Sequence, residues 1–295
     1  MSVLMLPPQH FSYVSAPPCR ARLTAIAETR YRVRCRSNRP LRHVALHEDK
    51  VQIERPLPLN GLGHMPVSFT SSKLAAPVRR VLCYGDSLTA GFCAQGRLFE
   101  PYGRTMAGEL GRAGIPTEVL VCGHSGHTSA QMVANLDAYA VSDTGRQIGK
   151  GLRRSLSEAA RQDLVVIMTG TNDLGQFFSF SAMLEDIAKL HQVCHLQGVP
   201  TVAVLPPPIL SNPKVEANRR HFAELLQAWA KTVPNIQAVL DPSELVPATS
   251  SGSWDVDGVH FSPDGSRLLG QHLAAQVLPL LACVGSRNGN PTGTR

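Results

Sequence analysis

The sequence predicts an α/β domain built on a parallel sheet of five strands with helices on both faces. Three observations carry that expectation. From about residue 78 onward, short apolar runs alternate with longer amphipathic stretches. Polar, glycine-containing motifs follow the apolar runs, where open parallel sheets gather their sites. Across 295 residues the hydrophobic fraction of 43% is enough for a sizeable core. Alternating strands and helices pack as a parallel sheet covered on both sides.

The elements follow in order. Residues 81–84, 117–122, 164–168, 201–205 and 238–240 are apolar runs of strand length. Residues 152–161, 182–197 and 215–231 carry apolar side chains at helical spacing. In the second of these, Leu184, Ile187, Ala188 and Leu190 oppose Glu185, Asp186 and Lys189. Ser262-Pro263-Asp264 offers a capping hydroxyl, a Pro suited to the first turn and an acid favoured by the helix dipole, so a last helix is expected to start there. Residues 56–77, rich in Pro, Gly, Ser and Leu, read as an irregular linker, and 285–295 as a frayed tail. The expected organisation is therefore a basic, poorly ordered extension and linker over 1–77, a folded domain over 78–284, and the tail.

Charge separates the extension from the rest. The chain carries a net +7, yet residues 1–80 hold 13 Lys and Arg against 4 Asp and Glu, so the excess belongs to the leader. No nucleic-acid-binding motif accompanies these arginines, and no nucleic-acid partner is expected. Up to His47 the only acid is Glu28, a composition shared by organelle transit peptides and disordered tails. The expected location is the cytoplasm, or an organelle if the leader is a targeting segment. A secretory signal is not expected, because Pro7 and Pro8 cut short the apolar start. No stretch approaches the roughly 18 apolar residues of a membrane span; the nearest, 273–284, contains Pro279. The seven cysteines form no C-x-x-C pair, so neither a metal, a cofactor nor a disulfide framework is expected.

Three polar motifs follow the first three strands: Gly85-Asp86-Ser87, Gly123-His124-Ser125-Gly126-His127-Thr128 and Gly170-Thr171-Asn172-Asp173. Asp257-Gly258-Val259-His260 follows the fifth. Each alone also fits an ordinary turn. Together they supply a serine nucleophile, an imidazole base and an orienting carboxylate three residues from it. Asp255 and Asp264 compete with Asp257 for the orienting role. Gly126 would let a carbonyl oxygen approach its N–H, and the Asn172 amide offers a directed donor for an oxyanion. Because a base must be neutral to accept a proton, activity is expected to rise with pH across the imidazole range.

These four motifs resemble, in order, sequence blocks of the SGNH hydrolases, the GDSL esterase/lipase superfamily, over roughly residues 80–282. The resemblance implies a flavodoxin-like three-layer α/β/α sandwich and hydrolysis of carboxylic esters or thioesters. It implies Ser87 as nucleophile, His260 as base and Asp257 as its orienter. The N–H groups of Ser87 and Gly126 and the Asn172 amide would form the oxyanion hole. His124 and His127 depart from what relatives often show in the second block. His127, Phe177, Phe178 and Trp254 are candidates for contact with an acyl or sugar ester. An acyltransferase using the same serine, or a non-catalytic binding protein on this fold, are the alternatives. The G-x-S-x-G elbow of the α/β-hydrolases is missing.

Overall fold

The computed structural model describes residues 67–70, 78–250 and 252–287. Its centre is a six-stranded sheet. The strands are β1 (Val67–Thr70), β2 (Arg79–Asp86), β3 (Thr117–His124), β4 (Leu164–Met168), β5 (Thr201–Val204) and β6 (Ile236–Leu240). Their spatial order is β1-β3-β2-β4-β5-β6. All five expected strands are present and run parallel to one another.

The sixth strand corrects the expected count. β1 pairs antiparallel with β3 and lies inside the stretch expected to be an irregular linker. Its four residues are mostly exposed, so the alternation that marks a buried strand is weak there. Antiparallel edge strands on otherwise parallel sheets are common. The remainder of the leader, with its targeting reading, lies outside the described residues.

The helices are α1 (Ser87–Ala90), α2 (Tyr102–Arg112), α3 (Ser129–Ala134), α4 (Leu152–Glu158), α5 (Thr171–Gly175), α6 (Phe180–Leu196), α7 (Pro213–Ala230), α8 (Pro242–Leu245) and α9 (Pro263–Arg287). Alternate residues of the buried strands feed opposite layers. Val81, Cys83, Val119, Val166 and Val202 pack with Met106 and Leu110 of α2 and Leu273 and Val277 of α9. Leu82, Tyr84, Val165 and Ile167 pack with Leu152 and Leu156 of α4 and Leu190 and Cys194 of α6. Each fully buried aliphatic side chain of this kind contributes roughly 1.5–3 kcal/mol of transfer free energy. A third cluster joins α6 to α7 through Met183, Ile187, Phe222 and Leu226.

α9 also differs from expectation. It runs through Pro279 and on to Arg287, past the residue where the tail was expected to begin. Residues 288–295 lie outside the described residues. Among the described residues, no helix is long and apolar enough to cross a membrane.

Candidate active site

Parallel pairing brings the first three motifs to one edge of the sheet. Gly85 lies opposite both Gly123 and Met168, and Asp86 lies opposite His124, so the three strands end in step. The chain must then turn sharply from β2 into α1 with little room. A Cβ on Gly85 would fall 2.0 Å from the Met168 carbonyl oxygen, and one on Gly123 would fall 2.2 Å from the Ala90 nitrogen. Both glycines are therefore fixed by packing.

Ser87 opens α1, capped by Asp86, whose Oδ1 accepts the Leu88 N–H at 3.0 Å. The Ser87 side chain meets His260: Nε2 to Oγ is 2.9 Å. On the other side of the imidazole, Nδ1 lies 2.6 Å from Asp257 Oδ2. The second oxygen of Asp257 accepts the backbone N–H groups of Val259 and His260, each at 2.9 Å. Burial alone would raise the Asp257 carboxyl. The backbone and imidazole N–H of His260 and the N–H of Val259 outweigh it and hold the group below the usual carboxylate value. An ionised Asp257 can only accept, so Nδ1 carries the proton and Nε2 is left as acceptor for the Ser87 hydroxyl.

The competing carboxylates are engaged elsewhere. Asp255 accepts the N–H of Ala94 at 2.6 Å and that of Val256 at 2.7 Å. Asp264 sits in the first turn of α9 and pairs with Arg267 at 2.5 Å.

Asn172, in the first turn of α5, donates from Nδ2 to the His127 carbonyl at 2.9 Å, which ties the third motif to the second. Asp173 reinforces that tie by accepting the N–H and hydroxyl of Ser129. Gly126 adopts φ 79°, and a Cβ there would fall 2.5 Å from Thr144 Oγ1. Its glycine thus answers to backbone geometry and to Thr144, a reason different from the carbonyl approach read from the sequence. Asp143, which the sequence did not single out, accepts the Ser125 N–H at 2.7 Å and so backs the same loop.

Two carboxyls near Ser87 are raised. Burial, with the charge of Asp173 adding to it, pushes Asp86 up to about 7. Its Oδ2, close to Thr171, makes no hydrogen bond of ordinary geometry. Burial likewise raises Asp173 against the bonds from Ser129. His124 is pulled down to about 4 by burial and by the adjacent His127, on which its ring stacks at 5.5 Å.

The expected substrate-facing side chains are scattered. Phe177 is 68% exposed beyond α5, with φ 58°, and Phe178 is also exposed. Trp254 packs on Phe261 at 4.8 Å and donates its indole N–H to the Pro247 carbonyl, so it has a clear packing role. Phe92 was missed: its ring lies 4.7 Å from the His260 imidazole, centroid to centroid. An isolated Phe five residues beyond Ser87 carries no sequence signal for that contact. A cleft of about 520 Å³ lined by Pro208, Ile209, Leu210, Glu216 and Arg219 includes neither Ser87 nor His260. It adjoins the loop that carries His260, because the Leu210 N–H donates to the Gly258 carbonyl at 2.7 Å. Among the described residues, no three His, Cys, Asp or Glu side chains gather closely enough to hold a metal ion.

Comparisons with known proteins agree with this architecture. Residues 83–268 match the GDSL-like Lipase/Acylhydrolase family. Among curated proteins, none matches the chain in sequence. Solved structures do. A carbohydrate acetylesterase family member from Sinorhizobium meliloti is 23% identical, covering 69% of this chain and 99% of its own, with a TM-score of 0.54. The lipase/acylhydrolase from Enterococcus faecalis is 22% identical over 69% of this chain and 97% of its own, at 0.51. An acetylxylan esterase from Geobacillus stearothermophilus is 18% identical over 68% and 94%, at 0.52. At such identities the likeness speaks to the fold and not to the substrate. The family match spans more than half of the chain, and on that ground the protein belongs to the GDSL-like lipase/acylhydrolase family of ester-bond hydrolases.

Proposed function

We propose that the protein hydrolyses carboxylic esters through a covalent acyl-enzyme on Ser87. The observation that carries this reading is the continuous chain from Ser87 Oγ to His260 Nε2 at 2.9 Å and from His260 Nδ1 to Asp257 at 2.6 Å. The Ser87 oxygen attacks the ester carbonyl as its proton passes to Nε2, a transfer of the kind that supplies typically 10²- to 10⁴-fold. Asp257 stabilises the imidazolium that forms, without taking the proton itself.

The carbonyl oxygen becomes an oxyanion, met by the N–H groups of Ser87 and Gly126 and by the Asn172 amide. As it collapses, the C–O bond to the alcohol breaks and His260 returns the proton to the departing alkoxide. Water then repeats the sequence: its oxygen bonds the acyl carbon as His260 takes its proton, the bond to Ser87 Oγ breaks as His260 returns that proton to the serine oxygen, and the carboxylic acid leaves. An alcohol in place of that water would give acyl transfer from the same intermediate.

The test is steady-state hydrolysis of p-nitrophenyl acetate by the wild type and by Ser87→Ala and His260→Ala, with products analysed in the presence of glycerol. Turnover by the wild type and its loss in both variants support the reading; full activity in Ser87→Ala contradicts it. A glyceryl ester as main product would assign transfer over hydrolysis.

A further inference from the structure

Ala94, Gln95 and Gly96 have successive φ values of 50°, 58° and 78°. Adjacent non-glycine residues in the left-handed region are strained and persist only where their surroundings hold them. Arg97 closes this turn locally by donating its backbone and Nε N–H to the Ala94 carbonyl, and two further contacts tie it towards His260. The Ala94 N–H donates to Asp255 Oδ2 at 2.6 Å, across 161 residues of sequence. The turn also wraps the Phe92 ring so closely that a Cβ on Gly96 would fall 2.7 Å from its Cε2.

Phe92 connects the turn to the site. Its ring stands nearly perpendicular to that of Phe99, with centroids 5.8 Å apart, and the His260 imidazole lies 4.7 Å away at an interplanar angle of 42°. Asp255 is itself part of the loop that carries His260, because its N–H donates to the His260 carbonyl at 2.8 Å. A hydrogen bond at Nδ1 fixes one direction of an imidazole but leaves it free to tilt about that bond. An aromatic ring against it removes that freedom.

We propose that Asp255 is a positioning residue for ester hydrolysis: by clamping the Ala94–Gly96 turn it seats Phe92 against His260 and keeps Nε2 in line with Ser87. The inference rests on the Ser87–His260 reading above. It gives Asp255, the first acid of the Asp-x-Asp-x-x-His segment, a role distinct from that of Asp257.

The test measures kcat and KM for p-nitrophenyl acetate, and the rate of Ser87 phosphonylation by a fluorophosphonate, in the wild type, Asp255→Ala, Asp255→Asn and Phe92→Ala. Asp255→Ala is expected to lower kcat and the labelling rate together, by on the order of 10- to 10²-fold, the scale set by small misplacements of reacting groups. KM is expected to stay within about twofold, since the substrate loses no contact. Asp255→Asn, whose amide oxygen can still accept from Ala94, should recover a large part. Phe92→Ala should reproduce the defect from the other side of the clamp, and it decides the matter if Asp255→Ala does not fold. Wild-type rates in Asp255→Ala or, where that variant does not fold, in Phe92→Ala would overturn the proposal, as would an Asn variant no better than Ala. A wild type that takes no label at Ser87 would overturn the underlying reading instead.

Discussion

Asn172 shows how one side chain can be both tether and donor. Its amide carries two N–H bonds, and one is spent on the His127 carbonyl, which fixes the plane in which the other points. In an oxyanion role the second N–H acts only once charge has developed. Asn172→Ala is therefore expected to reduce kcat by on the order of 10²- to 10³-fold with little change in KM. A KM effect without a kcat effect would make Asn172 a substrate-binding residue. At this scale much was legible in the sequence: Ser87, His260 and Asn172 each stand in a motif of recognisable chemistry. The choice among Asp255, Asp257 and Asp264 came from the family resemblance alone, because the spacing admits more than one partner and the loop path selects between them. Phe92 and Asp143 were not legible, since their contacts are made across the fold.

The strands of the parallel sheet were readable because full burial leaves uninterrupted apolar runs, as in Leu164–Met168, where all five residues are buried. β1 was hidden because an edge strand of four mostly exposed residues has no such run. Pro279 cannot donate an intrahelical bond, yet α9 continues through it, held on either side by Leu273, Val277 and Leu281 in the core. One tight element is the β2 to α1 turn. Gly85→Ala would drive a methyl group into the Met168 carbonyl and the Thr89 hydroxyl at once, and backbone on a central strand cannot easily yield. The expected cost is about 1–3 kcal/mol or more, read as a lowered urea midpoint with unchanged m-value. Wild-type stability would mean that β4 shifts freely.

Across the whole molecule, pH couples to stability through histidines far from the site. His191 of α6 bonds Thr201 Oγ1 at 2.7 Å, and His195 bonds the same oxygen at 2.9 Å. Burial, and then the neighbouring His195, pulls His191 down to about 3. Its pKa is lower folded than unfolded, so between the ordinary imidazole value and about 3 the unfolded chain binds the extra proton. Stability from this residue is thus full above about pH 6.5 and is lost as pH falls, at up to about 1.4 kcal/mol per unit. Asp86, raised to about 7 by burial, runs the opposite way: its contribution grows as pH falls from about 7 towards the ordinary carboxylate value. The separable prediction is a difference. His191→Asn should be less stable than the wild type at pH 7.5, and the gap between their urea midpoints should narrow towards pH 4.5. A constant gap would contradict a buried neutral His191.

The most direct measurement is intact-mass spectrometry of the wild type and Ser87→Ala after exposure to a fluorophosphonate. An activated serine held 2.9 Å from an oriented imidazole predicts one adduct, located on Ser87 and missing from the variant. An unmodified wild type, or an adduct that persists in Ser87→Ala, would contradict the assignment of Ser87 as the nucleophile.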